Sequence, residues 1–436
     1  MKISSARLPF YSALAAAFVP WVDGLTNSNV PAYFFDLALI CFAGIALALD
    51  RKLHLRISLP SWVFTLCFCL CLVVLFILHR MHFLISFLVV VPVTLAYVIF
   101  LTHSSVNPGE LLRQLKWVYL FHVGFIIIEL LLFYFDLRYV LSALSGDRYR
   151  DIYFALLVRI DPRFGNFAPN SMLLQGQAAG HLVMAAFLLF YLASGGKPGR
   201  SNFLVLTLLF LLFFVVTSNT SLVILIILFA AIWMIRANLY VKVLTMLLLP
   251  LIAYLFLDAF LPTIFYQFYE GGALAQSFDL YWWLLTIPFV NLLDAQPMQF
   301  FFGHGSDREA LESGELGFAT VAYIGGVYVV GLLFIWLSSI LIAGFMRYQR
   351  FRNARELNVA AWSSLLFVNI ILCAAWALSS AHYLIVLIPG GMHLFAFSLA
   401  IVITANSRLR RSSHGRVPEG VAPKHFEPAK ADLLPG

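Results

Sequence analysis

Charged residues are scarce in this 436-residue sequence, at 11% of the chain against 62% apolar residues. A soluble globule with that balance would expose a large apolar surface to water. The composition therefore excludes an ordinary soluble fold and predicts an all-α, polytopic integral membrane protein. The lipid bilayer is then the first expected partner.

Motifs for metals, nucleotides and disulfides are also missing. The five cysteines all fall inside apolar runs, without the CxxC or Cys/His spacing of a metal site: Cys41, Cys67, Cys69, Cys71 and Cys373. No Walker motif and no GxGxxG before a helix occurs between the apolar runs. We expect no metal site, no cofactor and no disulfide framework.

The net charge of +7 is the kind of balance found in nucleic-acid-binding proteins. Here, however, the basic residues occur in short clusters between apolar runs, the pattern that orients helices in a bilayer. We therefore exclude nucleic acid as a partner.

Apolar runs long enough to cross a bilayer recur along the whole chain. A helix needs about 20 residues to cross roughly 30 Å of hydrocarbon. The sequence predicts about twelve spans, at 8–23, 31–49, 61–78, 83–102, 115–136, 173–194, 202–216, 220–236, 240–260, 319–341, 359–378 and 385–404. The stretch 202–236 is too long for one span, and its polar break at 217–220 predicts a tight hairpin.

Basic residues are expected on the cytoplasmic side of a membrane protein. Both termini placed in the cytoplasm put nearly every basic cluster there: Arg51/Lys52/Arg56, Arg113/Lys116, Lys197/Arg200, Arg236/Lys242, Arg347/Arg350/Arg352/Arg355 and Arg408/Arg410/Arg411/Arg416/Lys424. The exceptions are Arg80, in a short turn, and the loop 137–172. We predict a single transmembrane domain, 1–407, and a disordered cytoplasmic tail, 408–436, which is rich in proline and charge.

Only two predicted connections are long, 137–172 and 261–318, and both fall on the external side. The first contains Arg148, Arg150, Arg159 and Arg163. Guanidinium groups grip phosphate oxygens in a fork, so arginines at this surface suit a lipid-linked phosphate or pyrophosphate. The alternative is that they contact lipid headgroups or pair with the aspartates of the same loop.

The second long loop combines aromatic residues with an acid/base cluster. Trp282 and its aromatic neighbours can stack on sugar rings, although interfacial helices also present such side chains to headgroups. The cluster consists of His304, Asp307, Arg308, Glu312 and Glu315. Such a cluster can deprotonate a hydroxyl and hold a leaving phosphate. The alternative is a solvated loop.

Five ionisable residues fall inside the predicted spans: Asp36, Glu129, His122, His181 and His393. A charge at the centre of a membrane helix costs about 2.5–3.5 kcal/mol, so it usually turns inward. Asp36 and Glu129 are predicted in the outer halves of their spans, where they can line the floor of an external cavity. We expect each histidine to be a hydrogen-bonded packing residue, and the five are too scattered to predict a proton relay.

The sequence resembles the superfamily of O-antigen polymerases and O-antigen ligases of bacterial envelope glycan assembly. The resemblance rests on Arg163-Phe-Gly-Asn-Phe-Ala-Pro-Asn170, on the break Thr217–Thr220, on Phe302-Gly-His-Gly305, on Glu315-Leu-Gly317 and on the glycines of 323–331. It covers about 115–345 and the overall topology. Ligases usually carry His-Asn where Glu315 stands, so the polymerase branch fits better.

The resemblance implies a metal-independent glycosyltransferase of the bacterial inner membrane that uses a polyprenyl-pyrophosphate-linked glycan as donor. A chain-length regulator is an implied partner. We assign catalysis to Glu315, Glu312 and His304, and substrate binding to Arg159, Arg163, Arg308, Asn170 and Trp282. The alternatives are an O-antigen ligase and a lipid-linked oligosaccharide flippase, although the sequence has neither the two related halves nor the short loops expected of a flippase.

Overall fold

The computed structural model describes residues 7–28, 30–49, 82–103, 106–135, 176–195, 199–216, 219–236, 296–303, 317–382 and 389–412, with isolated positions at 65–73, 137 and 140. Regular structure in these ranges is helical, without a strand. The α helices are α1 (Leu8–Thr26), α2 (Val30–Leu49), α3 (His82–His103), α4 (Pro108–Tyr134), α5 (Gly176–Ala193), α6 (Arg200–Val215), α7 (Asn219–Arg236), α8 (Pro297–Phe302), α9 (Gly317–Phe351), α10 (Leu357–His382) and α11 (Pro389–Ser412).

Six of these helices, α1, α2, α4, α9, α10 and α11, are long and apolar enough to cross a membrane. Shorter apolar stretches lie in α3, α5, α6 and α7. The chain is therefore a helical membrane protein, as its composition predicts. The predicted spans 240–260 and nearly all of 61–78 lie outside the described residues, so the count of twelve stays a prediction.

The start of α4 and the end of α11 are among the helix boundaries that differ from the sequence prediction. α4 begins at Pro108, well before residue 115, with Glu110 in its first turn and the Asn107 side chain accepting the Gly109 N–H at 2.9 Å. These are favourable residues for a helix start. α11 ends at Ser412, so residues 408–412, assigned above to the disordered tail, are helical; Arg410 and Arg411 complement the negative end of the helix dipole.

The stretch 202–236 forms two helices, α6 and α7, that break at the polar segment. Both contact α5, where the Phe187 ring lies 6.4 Å from that of Phe210 on α6 and 6.1 Å from that of Phe229 on α7. Two separate helices are as predicted. Their shared packing partner, α5, is not visible from the sequence.

α10 and α11 form the centre of the described bundle. In each of them 78% of the most apolar stretch is buried, against 22% in α2 and α9. Phe34 and Leu37 of α2 and Phe334 of α9 are among the exposed apolar side chains, which lipid can solvate. The helices in the middle are thus packed by protein, and α2 and α9 border the lipid.

Contacts along α9 fix its direction relative to the two central helices. Tyr348 stacks on Phe367 of α10 with ring centroids 4.4 Å apart, and Gly344 lies against Ile370. Residue numbers rise on α9 as they fall on α10, so these helices are antiparallel. The Arg347 guanidinium donates to Asn406 of α11 at 3.3 Å, and Gly344 lies against Val402, so α9 and α11 run parallel.

α5 and α4 are oriented by three further contacts. The Ser379 hydroxyl near the end of α10 lies 2.8 Å from Nδ1 of His181, near the start of α5. One turn away, the Trp376 indole N–H donates to the Tyr119 hydroxyl at 2.7 Å. The Lys116 ammonium lies 5.0 Å from the ring centroid of Phe190, near the end of α5. α4 and α5 are therefore antiparallel.

α1 runs parallel to α4, because Phe18 contacts Phe121 and Trp21 contacts Phe125, at 5.5 and 5.4 Å between ring centroids. At one end of the bundle α1, α4 and α10 therefore finish, and α2, α5, α9 and α11 begin. We call this the polar end. The opposite end, where α9 and α11 finish in arginines, is the arginine end.

Candidate functional site

Buried ionisable groups lie toward the polar end of the bundle. Five side chains in the parts of the helices nearest that end are at most 6% exposed: Asp23, Asp36, Glu129, His181 and His393. At the arginine end, by contrast, the cationic side chains are exposed or half-buried: Arg350, Arg352, Arg355, Arg408, Arg410 and Arg411. The described bundle thus has buried acids and histidines toward one end, and exposed or half-buried arginines at the other.

A short helix, α8, docks at the polar end against the first part of α9. It lies inside the long loop 261–318, where the sequence predicts no helix. Pro297 occupies its first turn, and Gln296 and Gln299 form a reciprocal capping box. These are local start signals that the sequence contains, and they identify α8 in retrospect.

Gly326 is the contact point for α8. It interrupts α9 with a φ of 78°, a conformation that side-chain-bearing residues rarely adopt. A Cβ atom at this position would lie 2.1 Å from the carbonyl oxygen of Phe301. The ring of Phe302 packs 6.1 Å from that of Tyr328 on the next turn. Backbone therefore touches backbone here, and only glycine permits it.

Gly303 ends α8 with a φ of 84°, and its N–H donates to the Gln299 carbonyl at 2.7 Å. The chain then runs through residues 304–316 and enters α9 at Gly317. Both limits of this segment belong to the α8–α9 unit at the polar end. α8 and α9 thus place the two neighbours of this segment, Gly303 and Gly317, at the polar end.

All eight predicted site residues lie outside the described residues: His304, Arg308, Glu312, Glu315, Arg159, Arg163, Asn170 and Trp282. Their roles stay predictions. The fold gives the positions of the helices that flank these residues in the chain. The segment 137–172 follows α4, which finishes at the polar end, and precedes α5, which begins there.

The predicted behaviour of the buried histidines holds for two of the three. His393 and His181 are hydrogen-bonded, to Asp36 and Tyr97 in one case and to Ser379 in the other. His122 is fully buried, and neither of its ring nitrogens has a hydrogen-bond partner within the described part of the chain. Asp36 and His393 are hydrogen-bonded although they are far apart in the sequence. Separation along the sequence therefore does not show whether ionisable residues lie close together in the fold.

The described ranges contain no group of three His, Cys, Asp or Glu side chains that could hold a metal ion. Ser379 adds a local bond to the Ala375 carbonyl at 2.8 Å, so its single proton can be used there while His181 donates from Nδ1. The contact between α10 and α5 is therefore a hydrogen bond between buried side chains.

No model of a known protein family matches the sequence, and a search of curated proteins finds no match either.

Proposed function

We propose that this chain is a membrane glycosyltransferase that polymerises polyprenyl-pyrophosphate-linked oligosaccharide units, of O-antigen or exopolysaccharide, at the external face of a bacterial inner membrane. The observation that carries the proposal is the docking of α8 on Gly326. α8 ends at Gly303 and α9 begins at Gly317 at the polar end, and the proposal assigns the site to the segment between them, with His304, Arg308 and Glu315.

The sidedness of the site follows from the segregation of charge. Arginines at the ends of α9 and α11 favour a cytoplasmic location for the arginine end, because loops rich in Lys and Arg stay on that side. The polar end then faces outward, and with it both long connections. Twelve spans and cytoplasmic termini complete this topology.

Two connections that meet at one end of the bundle can form a single cavity. The helices flanking 137–172, α4 and α5, contact each other and α10, and α10 packs on α9. In the proposed arrangement Arg159 and Arg163 lie at the same end of the bundle as Glu315. A lipid-linked pyrophosphate that emerges from the bilayer beside α5 would meet the arginines of the first loop before the acids of the second.

The reaction needs two kinds of groups. In the transfer, a sugar hydroxyl of one lipid-linked unit attacks the anomeric carbon of the other. The bond from that carbon to the pyrophosphate oxygen breaks, and the hydroxyl proton passes to a base, for which we favour Glu315 over Glu312 and His304. Arg163, Arg159 and Arg308 stabilise the charge that builds on the leaving pyrophosphate.

The pyrophosphate leaving group already activates the donor, so the proposed transfer requires no nucleotide. The direct test incubates purified protein with a lipid-linked repeat unit, in the presence of chelator and without nucleotide. A ladder of products is expected. Single transfer to a lipid A core acceptor would assign the chain to the ligases, and no transfer with matched glycans, together with movement of the lipid across vesicles, would assign it to the flippases.

The base is tested by Glu315→Gln, which keeps the shape of the side chain but cannot take up the proton. We expect at least a hundredfold loss of transfer, the usual order of a general-base contribution. Glu356→Gln, an exposed position between α9 and α10 at the other end, is the matched control. Equal activity of Glu315→Gln and wild type would remove Glu315 from the reaction.

The phosphate contacts are tested by Arg163→Lys and Arg159→Lys. An ammonium cannot reproduce the two parallel bonds of a guanidinium, so at least one of the lysine variants should be nearly as impaired as the corresponding alanine variant. Arg355→Lys, at the arginine end, should have wild-type activity. Normal ladders from both lysine variants would argue against a bidentate phosphate contact in this loop.

A further inference from the structure

Three residues from widely separated parts of the chain form a continuous hydrogen-bonded network inside the bundle. Nε2 of His393 on α11 lies 2.8 Å from a carboxylate oxygen of Asp36 on α2. Nδ1 of the same ring lies 2.8 Å from the hydroxyl of Tyr97 on α3. Asp36 is 6% exposed, and the other two side chains are fully buried. Both nitrogens of the imidazole are therefore occupied.

Aromatic rings pack against two members of the network. The edge of Phe35 packs on His393 at 5.2 Å between ring centroids, and Phe397 packs on Tyr97 at 5.5 Å. On the other side of α2, Phe34 and Leu37 are exposed, where lipid solvates the helix. The carboxylate thus lies just inside the protein at the boundary with the hydrocarbon, which is a costly position for an isolated charge.

The hydrogen-bond chemistry fixes the proton positions in the charged form. An ionised carboxylate only accepts, so Nε2 of His393 must donate to Asp36. In a neutral imidazole Nδ1 is then the acceptor, and the Tyr97 hydroxyl donates to it. This form has a net charge of −1 in a site whose three side chains are at most 6% exposed.

We infer that Asp36, His393 and Tyr97 form a proton-binding site within the membrane bundle. One proton taken up from the aqueous side binds Nδ1 of His393 and gives a neutral Asp36–His393 ion pair. Nδ1 then donates to the Tyr97 oxygen, and the tyrosine O–H turns away from the imidazole. Because Tyr97 belongs to α3 and His393 to α11, proton binding reverses the hydrogen bond that joins these two helices.

The neighbouring helices offer no competing partner for this charge. The other titratable side chains described on the elements of the network, and on α1, α9 and α10 packed around them, are Asp23, Tyr11, Tyr33, Cys41, Cys373, Tyr323, Tyr328 and Tyr348, with the arginines of α9 and α11 at the far end. Asp23 accepts the backbone N–H of Ala32 at 3.1 Å. Within the described residues none of these groups is hydrogen-bonded or ion-paired to Asp36 or His393.

The inference does not depend on glycan transfer, and its test follows the Asp36 carboxylate, whose hydrogen bond to His393 changes when the imidazole takes up a proton. Full-length protein with isotopically labelled aspartate carboxyl groups is reconstituted in lipid vesicles, and infrared spectra are compared between about pH 5 and 8, the range in which histidine usually titrates. We expect an aspartate feature in the pH-difference spectrum that is lost in Asp36→Asn and retained in Asp23→Asn. Asp23 is the matched control, a buried carboxylate near the same end.

Tyr97→Phe supplies a second measurement in case Asp36→Asn fails to fold. It removes one hydrogen bond and no charge, and we expect the same aspartate feature with a displaced midpoint pH. A wild-type spectrum with no pH-dependent aspartate feature in this range would overturn the inference. So would a feature that persists in Asp36→Asn, or one that titrates in Tyr97→Phe at the wild-type pH.

Discussion

The two ends of the helix bundle accommodate polar groups by opposite means. At the arginine end, Arg350, Arg352 and Arg355 are exposed to the surroundings of the protein. At the polar end, Asp36, His181 and His393 are buried and are hydrogen-bonded to side chains of other helices. Exposed cations tolerate many sequences, whereas each buried group requires a specific neighbour at a specific position.

This difference predicts where substitutions matter. A change at the polar end should alter stability or activity, because it removes a unique contact between helices. A comparable change at the arginine end should be nearly silent, because water or headgroups replace what is lost. Four substitutions within the described helices test this contrast.

The largest effect is expected from Gly326→Ala. The new methyl group would meet the Phe301 backbone, and alanine is strained at a φ of 78°, so α8 must leave α9. We expect transfer to fall tenfold or more, equivalent to about 1.4 kcal/mol or more in the barrier. Gly331→Ala is the matched control, since a Cβ atom there meets nothing within 4 Å. Equal transfer rates in the two variants, with both proteins folded, would contradict the role of the α8–α9 contact.

Ser379→Ala should lower the free energy of unfolding by about 1–2 kcal/mol, because it strands a ring nitrogen of buried His181. Thermal unfolding in detergent measures the change. The control is Ser339→Ala, an exposed residue whose hydroxyl donates to the Trp336 carbonyl in its own helix. A smaller loss from Ser379→Ala than from Ser339→Ala would show that the contact between α10 and α5 contributes nothing.

His122→Leu should act in the opposite direction. The imidazole is buried without a hydrogen-bond partner in the described ranges, and its ring centroid lies 5.9 Å from that of Phe121. An apolar side chain avoids that desolvation cost, and we expect a gain of about 1 kcal/mol in the same unfolding assay. Marked destabilisation would mean that His122 has a polar role in the folded protein.

Arg350→Gln should have the smallest effect. The side chain is exposed in the last turn of α9, and surface substitutions usually change stability by less than about 0.5 kcal/mol. The unfolding temperature should therefore match that of the wild type. A loss as large as that of Ser379→Ala would erase the distinction between the two ends.

The membrane-spanning helices could be predicted from the sequence because long apolar runs reflect the thickness of the bilayer. α9 and α10, for example, begin within two residues of their predicted starts at 319 and 359. Their ends are less predictable, since α9 continues past 341 through alternating polar and aromatic residues to Phe351. Hydropathy predicts only the part of a helix that lies within the lipid. The helix itself can continue beyond the lipid where its residues have sufficient helix propensity.

The polar contacts could not be predicted, because they join residues distant in the chain. Asp36 and His393 are 357 positions apart, and Tyr97 and His393 are 296 apart. No local pattern encodes such a pairing. Gly326 is an intermediate case. The glycines of 323–331 are visible in the sequence as a motif. The contact of Gly326 with α8, however, depends on a helix some 25 residues earlier in the chain.

The claim that the polar end faces outward is tested most directly by cysteine labelling in intact spheroplasts. Single cysteines replace Ser306, in the segment after α8, and Ser412, at the end of α11, in a chain whose five native cysteines are substituted. A membrane-impermeant maleimide should label Ser306→Cys in intact spheroplasts and Ser412→Cys only after permeabilisation. Labelling of Ser412→Cys from outside, with Ser306→Cys protected until the membrane is opened, would contradict the proposed external site.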